Sequence, residues 1–562
     1  MKAFDIIALA VCLLGCGFLW WMANRAEKII STKTKLWWLA VPAAAVLVAK
    51  DGPELSLLPL YLGAVIAALG YFCEGKSVRH KLAASGAAVM LLTVPVCLLN
   101  PRYRVKDYTG DFEKGFAAMR EHYVLAEHKG IDWDALYAKY LPMFEKAETD
   151  RSTSENYLAW AAFTGEFHDG HVNYIGEYED MNTAVREMLG NDYGLAVMRC
   201  TDGTFAAVNC EERLAEQGIT NGTVITEWDG KAPDAVSKES PAYGLNIVTY
   251  DKDTGSVPLE FDSFPDIDNE LFWSAVFCAG VGGESVQVSY LDAAGTEQTA
   301  VLQKCGDYYD RLAETKRIIE DGVKTGNLQW KKLNDTTACL RIKGMSYDSK
   351  SFSSSDDNAF DEMKDEIRST ILQYQEQGVK DVIIDIRSNT GGSGSMVMGL
   401  ASMFAPKGEH FYVNNGKWDE ANNCWAVDAS GRFVPDEPMS YQGEQLLGDG
   451  RVILLVNSSS VSAADHLNYL LRGLENVTVM GFTAPNGSAQ AIGAIAMENG
   501  MLQFSNCVML DENGDVFIDS GKDRQSGSDA DVIVPFDSEA IRALFDEDRD
   551  YVLEQALRLL QS

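Results

Sequence analysis

Four apolar segments crowd the first hundred residues of this 562-residue chain, at roughly 4–22, 36–49, 55–73 and 82–99. A helix of about 18 or more apolar residues can cross the ~30 Å hydrocarbon core of a bilayer, and the first, third and fourth segments reach that length. The second is shorter; it either extends back through Ile29 and Ile30 or is re-entrant. A cleaved signal peptide does not account for the first segment, because three more apolar segments follow it. Arg25, Lys28, Lys33 and Lys35 lie between segments one and two, and Lys76, Arg79 and Lys81 between three and four. The positive-inside rule puts those two loops in the cytoplasm. Four crossings then leave the N-terminus and everything after residue 106 outside, with Arg102, Arg104 and Lys106 mildly opposing that orientation. The segment interiors hold no carboxylate or lysine of the kind that marks an ion path, which argues against a pump or channel.

Charge divides at the same place. Residues 1–106 carry 12 Lys/Arg against 5 Asp/Glu, whereas the other 456 residues carry 36 against 77. The acidic part lacks the basic footprint that binding to nucleic acid requires. Surplus surface acid serves solubility and sets association rather than fold. Cysteines add no metal signal: Cys12, Cys16, Cys73 and Cys97 lie in apolar segments, and the other seven show no CxxC pair or zinc spacing. Cys200 and Cys210 flank a hairpin and are placed to face each other across its strands. No disulfide framework is expected, and no metal or nucleotide cofactor.

Residues 107–165 read as helical. In 112-FEKGFAAMREHY-123 the apolar residues Phe112, Phe116, Met119 and Tyr123 follow a helical period; Asp132 caps the next run and Ser154 opens a third. Residues 190–305 change to short β-rich runs, among them 193-YGLAVM-198, 205-FAAVN-209, 223-TVITEWDG-230 and 286-VQVSYL-291. From 336 to 545, strands alternate with helices. The continuous apolar runs 380-KDVIIDI-386 and 452-VILLV-456 suit strands covered on both faces, and helices at about 395–404 and 463–474 complete an α/β layout with a largely parallel sheet.

Two strand ends carry chemistry. One leads into 385-DIRSNTGGSGS-395, whose glycine pair permits a tight turn with outward N–H groups. The other leads into 457-NSSSVSAAD-465 and straight on to a helix. Ligands sit beyond the carboxyl ends of strands in open α/β sheets. An N–H pair from one loop facing a serine from the other is what acyl transfer needs. The competing reading is an ordinary helix cap, for which serine is also favoured.

These motifs resemble a known family. The segment 385-DIRSNTGG-392 is similar to the D-x-R-x-N-x-G-G motif of the S41 serine peptidases, the tail-specific or C-terminal-processing proteases, and 456-VNSSSVSAAD-465 resembles their V-N-x-x-S-A-S-A-S-E. The resemblance covers about 107–545. It implies a layered α/β domain of the ClpP/crotonase type with Ser462 as nucleophile, Ala463 as one oxyanion donor and Gly391 or Gly392 as the other. Arg387 and Asn389 then brace the loop. The stretch 193-YGLAV-197 with 212-ERLAEQGITNGTVITEWDGK-231 is similar to a PDZ domain, a module that takes up a peptide C-terminus by strand addition. The tail-specific branch carries a general-base lysine in G-E-x-x-x-G-K-G-x-x-Q; here 481-GFTAPNGSAQ-490 is one residue shorter and has no lysine. A serine hydroxyl without a base is a weak nucleophile. The segment 165-GEFHDGHVNY-174 resembles the L-x-D-x-H-T segment of S41 members allied to tricorn protease, in which a histidine accepts the serine proton. The matching residue is His171, and a neutral imidazole suits that task near pH 7. His466, one helical turn after Ser462, and His168 are the alternative bases. Asp523 is the expected third member, fixing the imidazole tautomer, with Asp169 and Glu166 as alternatives.

The expectation is a multi-domain protein. It comprises a four-segment transmembrane region (1–106), a helical subdomain with the histidine motif (107–190), a PDZ-like domain (191–305), a linker (306–335), the catalytic α/β domain (336–545) and a C-terminal helix (546–562). It would sit in the cell membrane as a multi-pass protein with the peptidase domain outside the cytoplasm, acting on protein or peptide substrates. The alternative is a catalytically inactive surface protein that holds peptide termini, motivated by the missing lysine.

Overall fold

The structure is a computed structural model that describes residues 106–249, 260–262, 282–319, 328–345, 357–422, 424–485, 487–519 and 527–562. The chain divides into two compact units, Met1–Lys106 and Asp107–Ser562. The four apolar segments lie outside the described residues. Among the described residues no helix is long and apolar enough to cross a membrane.

The second unit opens with helices α1 (Tyr108–His122), α2 (Trp133–Asp150) and α3 (Thr153–Gly165). Each starts on a side chain that satisfies an otherwise unpaired first-turn N–H: Asp107 accepts from Gly110, Asp132 from Ala135, and Ser152 from Glu155. The third cap is therefore Ser152, two residues before the serine expected from the sequence. The helices pack through rings, with Phe112 stacked on Phe144 at 4.4 Å and Trp160 stacked at 4.9 Å on Tyr174 of strand β1 (Asn173–Ile175). The loop between α3 and β1 carries His168, Asp169 and His171.

The region 190–305 forms small antiparallel sheets. Strands β2 (Ala196–Arg199) and β3 (Phe205–Val208) make a hairpin; β4 (Ile225–Trp228), β5 (Ser285–Leu291) and β6 (Glu297–Gln303) make a three-stranded sheet. Cys200 and Cys210 do not face each other, because the hairpin is too short. Cys200 N–H donates to Thr204 O inside the turn, while Glu211 N–H, next to Cys210, donates to Gly194 O at the open end. Both thiols are free.

The α/β half is built on a six-stranded sheet, ordered β7 (Leu328–Lys332), β8 (Thr337–Ile342), β9 (Asp381–Asp385), β12 (Val452–Leu455), β13 (Val477–Gly481) and β17 (Val532–Ile533). Only β7 runs antiparallel to its neighbour; the rest pair in parallel, as the apolar runs predicted. Alternate residues feed two cores. Val382, Ile384, Val452 and Leu454 pack with Val397 of helix α5 (Gly394–Phe404), Leu467 of α6 (Ala463–Leu471) and Ile367 of α4 (Asp357–Glu376). Ile383, Ile453 and Leu455 face the opposite way, toward Ile541 of α7 (Ser538–Phe545) and Val552 of α8 (Tyr551–Gln561). A strand covered on both faces has no polar side, so these sequences read as unbroken apolar runs.

Two β excursions leave this layered body. Strands β10 (Gly408–Gly416) and β11 (Pro435–Gly443) form one, joined by the short β16 (Met509–Leu510). Strands β14 (Ala491–Ala496) and β15 (Met501–Cys507) form a hairpin whose second strand pairs with β1, so that the order is β1-β15-β14. That pairing brings the histidine loop of the helical region to the α/β half.

Candidate active site

Strands β9 and β12 are adjacent and parallel, with Asp385 opposite Leu455. Their loops therefore emerge side by side at one edge, the place where open parallel sheets bind ligands. Asn389 joins them: its carbonyl accepts from Val461 N–H, and its Nδ2 donates to Ile342 O. Ser460 Oγ donates to Ile386 O, and Asn457 Oδ1 accepts from Ser388 N–H. Arg387 is buried and donates to both Asp385 and Asp550, the residue that caps α8. Arg387 and Asn389 brace the loop as the sequence suggested.

Ser462 occupies the N-cap position of α6 but does no capping. Its backbone sits at φ 59 and ψ −121, and its side chain makes no cap hydrogen bond. Positive φ is uncommon for a residue with a Cβ and costs on the order of 1–3 kcal/mol. An ordinary cap has extended backbone and spends its hydroxyl on the helix N–H groups. Ser462 does neither; its Oγ has no hydrogen-bond partner among the described residues.

The two glycines answer different neighbours. A Cβ on Gly391 would stand 2.7 Å from Ser462 Cβ and 3.0 Å from Ala463 N; one on Gly392 would stand 2.5 Å from Met345 O. Both have positive φ, at 96° and 139°. The Gly391 N–H donates to Asn389 Oδ1 at 3.0 Å and is thus committed. Among the described residues the N–H groups of Gly392 and Ala463 have no acceptor. Of the two glycine amides proposed from the sequence, Gly392 is the one left available.

His171 lies in the loop between α3 and β1. It is buried at 6% exposure, and its backbone N–H donates to Asp169 Oδ1 at 2.8 Å. Burial lowers the imidazole pKa below its ordinary value, while the Asp169 charge and a hydrogen bond to the backbone of Gln490 act in the opposite sense. Its Nδ1 is buried without a hydrogen-bond partner. Gln490 is fixed in turn, its Nε2 donating to Phe517 O at 2.8 Å and its Oε1 accepting from Met509 N at 2.7 Å. Three residues earlier, a Cβ on Gly487 would lie 3.2 Å from Ser462 N. The segment 487–490 thus touches the serine turn at one end and the imidazole at the other.

Residues 336–523 match the model of peptidase family S41, and residues 104–154 match that of the tricorn protease C1 domain. The catalytic domain belongs to peptidase family S41. Among solved structures the chain is similar to mature CPAF (TM-score 0.51, 16% identity, 81% of this chain and 98% of that one). It is also similar to mature CPAF complexed with lactacystin (TM-score 0.50, 16% identity, 81% and 99%). The photosystem II D1 C-terminal processing protease is a more distant likeness (TM-score 0.34, 15% identity, 78% and 97%). At these identities the likeness shows the fold. No curated protein sequence matches the chain.

The alternative bases of this S41 peptidase fare differently from His171. The His466 ring is engaged in the second core, stacked on Tyr412 at 4.6 Å and edge-on to Phe517 at 4.6 Å, with Nε2 against Tyr412 O at 3.2 Å. Burial lowers its pKa to about 4. A turn of helix places it on the core-facing side, and the sequence proposal is overturned. His168 has positive φ, and its carbonyl accepts from Lys129 Nζ. Of the acids, Asp523 lies outside the described residues. Glu166 is turned to Lys139 and Tyr140, whose hydrogen bonds hold its pKa down against the effect of burial. Asp169 also accepts from Ser505 Oγ at 2.9 Å.

Two buried acids escaped the sequence reading. Asp519 forms a buried ion pair with Lys129 at 2.8 Å, and Ser488 Oγ donates to its other oxygen at 2.9 Å. Burial and the nearby Asp169 push its pKa well up; Lys129 and Ser488 oppose that. Asp465, three residues after Ser462, accepts from Ser528 N–H at 3.0 Å and from the backbone of Gly487, and burial raises its pKa to about 7. Asp465 closes the serine motif but its burial is revealed only by its tertiary neighbours, and Asp519 belongs to no recognised motif. Asp192, Glu211 and Cys305 are the one grouping with metal-ligand geometry among the described residues, and Arg311 already donates to both carboxylates there.

Proposed function

We propose that this S41 peptidase is anchored in the cell membrane through residues 1–106 and cleaves polypeptides outside the cytoplasm through an acyl-enzyme. Ser462 attacks the scissile carbonyl as His171 takes its proton; the bond to the leaving amine then breaks, and His171 returns the proton to that nitrogen. Water repeats the sequence on the ester. The N–H groups of Gly392 and Ala463 receive the oxyanion, each worth on the order of 3 kcal/mol in the transition state. Asp169 is the described carboxylate nearest in effect to the imidazole, and Asp523 remains the acid expected from the sequence. The observation that carries the reading is Ser462 itself: a strained serine, unused as a cap, beside two free amides. The imidazole and hydroxyl are not hydrogen-bonded here, and such bonds often tighten only when substrate binds.

The PDZ-like reading of 191–305 would have this module hold a peptide C-terminus while the neighbouring half cuts. The support is a small antiparallel β layer with a short helix, Pro233–Glu239, in the region where the sequence resembles a PDZ domain. The deciding experiment is reaction of the full chain with a fluorophosphonate, followed by mapping of the labelled residue. Label on Ser462 that is lost in His171→Ala is the expected result. A folded chain that takes no label overturns the proposal and returns the peptide-holding alternative.

A further inference from the structure

The strand β14, 491-AIGAIA-496, is an edge. It pairs with β15 on one side and with no described strand on the other. Its register fixes which backbone groups are free. Met497 N–H donates to Gly500 O and closes the hairpin, so hydrogen-bonded pairing with β15 falls on alternate residues, at Ile495 and Gly493. The N–H and C=O of Ile492, Ala494 and Ala496 then point away from β15. Lys114 Nζ donates to Ala496 O at 2.9 Å, which confirms that direction and closes the far end. The groups of Ile492 and Ala494 have no partner among the described residues.

Natural edges are blunted by charge, proline or brevity, because a bare one recruits other strands. This one has six residues with no charge and no proline, and Ile492 is 49% exposed. It also begins at the active site: Gln490, the residue before it, bonds His171 through its backbone.

We infer that β14 takes the substrate chain as an added β-strand, with the backbone of Ile492 and Ala494 paired to the polypeptide beside the scissile bond. This rests on the peptidase reading above. The ligand class is an extended, unfolded polypeptide. Its alternate side chains lie over the exposed Ile492 and Ala494, so apolar or small residues there are preferred. The free stretch ends at Lys114, which limits the added pairing to the first residues of the strand.

Proline at an outward-facing N–H removes a donor without breaking the ladder behind it. The test therefore uses Ala494→Pro and Ile492→Pro in the full chain. Binding is read in a Ser462→Ala background by fluorescence anisotropy of a short labelled peptide. The peptide is amidated at its C-terminus, with alanine or valine at alternate positions and serine or lysine between. Loss of a backbone hydrogen bond and of strand alignment should weaken Kd by about tenfold or more. Ala494→Ser, which keeps the N–H, should bind like the parent. In the Ser462 enzyme, the proline variants should raise KM for the same peptide. Folded proline variants with parental Kd overturn the inference. Peptide bound through the edge by a chain that takes no label sinks the peptidase reading alone.

Discussion

Gly391 stands so close to Ser462 that a single Cβ on the glycine would fall 2.7 Å from the serine's own and 2.8 Å from Val461 O. The φ of 96° forbids the added carbon a second time. Gly391→Ala must therefore displace the nucleophile turn. A shift of about 1 Å at reacting atoms costs on the order of a hundredfold in rate. Fluorophosphonate labelling of the variant should slow by about that factor, and urea unfolding should show a loss of about 1–3 kcal/mol. Ser462→Gly should do the reverse to stability, relieving the positive φ and gaining about 1 kcal/mol while abolishing labelling. A Gly391→Ala enzyme that labels at the parental rate would refute the close approach.

The two histidines nearest the argument are separated by their surroundings. His171→Ala should reduce kcat/KM by about 10²–10⁴, the usual contribution of a general base. His466→Phe replaces one ring by another between Tyr412 and Phe517, and should leave kcat/KM within about threefold, as volume-conserving core swaps do. The pH profile carries the same assignment. His171 must be neutral to accept the serine proton, and burial holds its pKa below the ordinary 6.5. The acid limb of kcat/KM should thus lie below pH 6.5. A limb well above it would point to another base.

Asp465 gives a pH signature of its own. Its folded pKa of about 7 lies above the ordinary 3.8 because burial disfavours the charge. A group of this sign stabilises the fold fully below pH 3.8 and loses that contribution as pH rises toward 7. Asp465→Asn cannot ionise. Relative to the parent it should gain stability progressively from about pH 4 to 7 and stay level above, by a total on the order of 4 kcal/mol at most. Urea melts of both proteins across that range measure the difference. A flat difference would mean that the carboxylate is solvated or already charged at low pH.

How much of this was legible beforehand follows from what each feature depends on. The buried strands at 381–385 and 452–455 announced themselves because both faces are covered, which leaves an apolar run and nothing else. Ser462 and the glycine pair were visible because chemistry and positive φ both restrict residue type locally. His466 misled because helical spacing places it one turn from Ser462, while the ring's direction is decided by Tyr412 and Phe517, 54 residues before and 51 after. Gly391 and Gly392 could not be separated in sequence, since the difference lies in which N–H meets Asn389. The bare side of β14 and the Lys129–Asp519 pair, 390 residues apart in sequence, depend on tertiary neighbours, and so does the burial of Asp465 against Gly487 and Ser528.

The ion pair of Lys129 and Asp519 shows such a long-range dependence. Lys129 Nζ also donates to His168 O at 2.8 Å, and Asp519 accepts from Ser488. One buried pair therefore holds the loop of His171 and the segment 487–490 that touches Ser462. Removing one partner of a buried pair strands the other's charge and typically costs about 3–5 kcal/mol, whereas an apolar replacement of both is often nearly neutral. Lys129→Met alone should lower stability by about that amount. Lys129→Met with Asp519→Leu should recover most of it. If the pair also positions the site, labelling at Ser462 stays slow in the double variant despite its recovered stability, because His168 O and Ser488 have still lost their anchors. Urea melts and labelling rates on the three proteins separate the two roles. A double variant with parental labelling would reduce the pair to a structural contact.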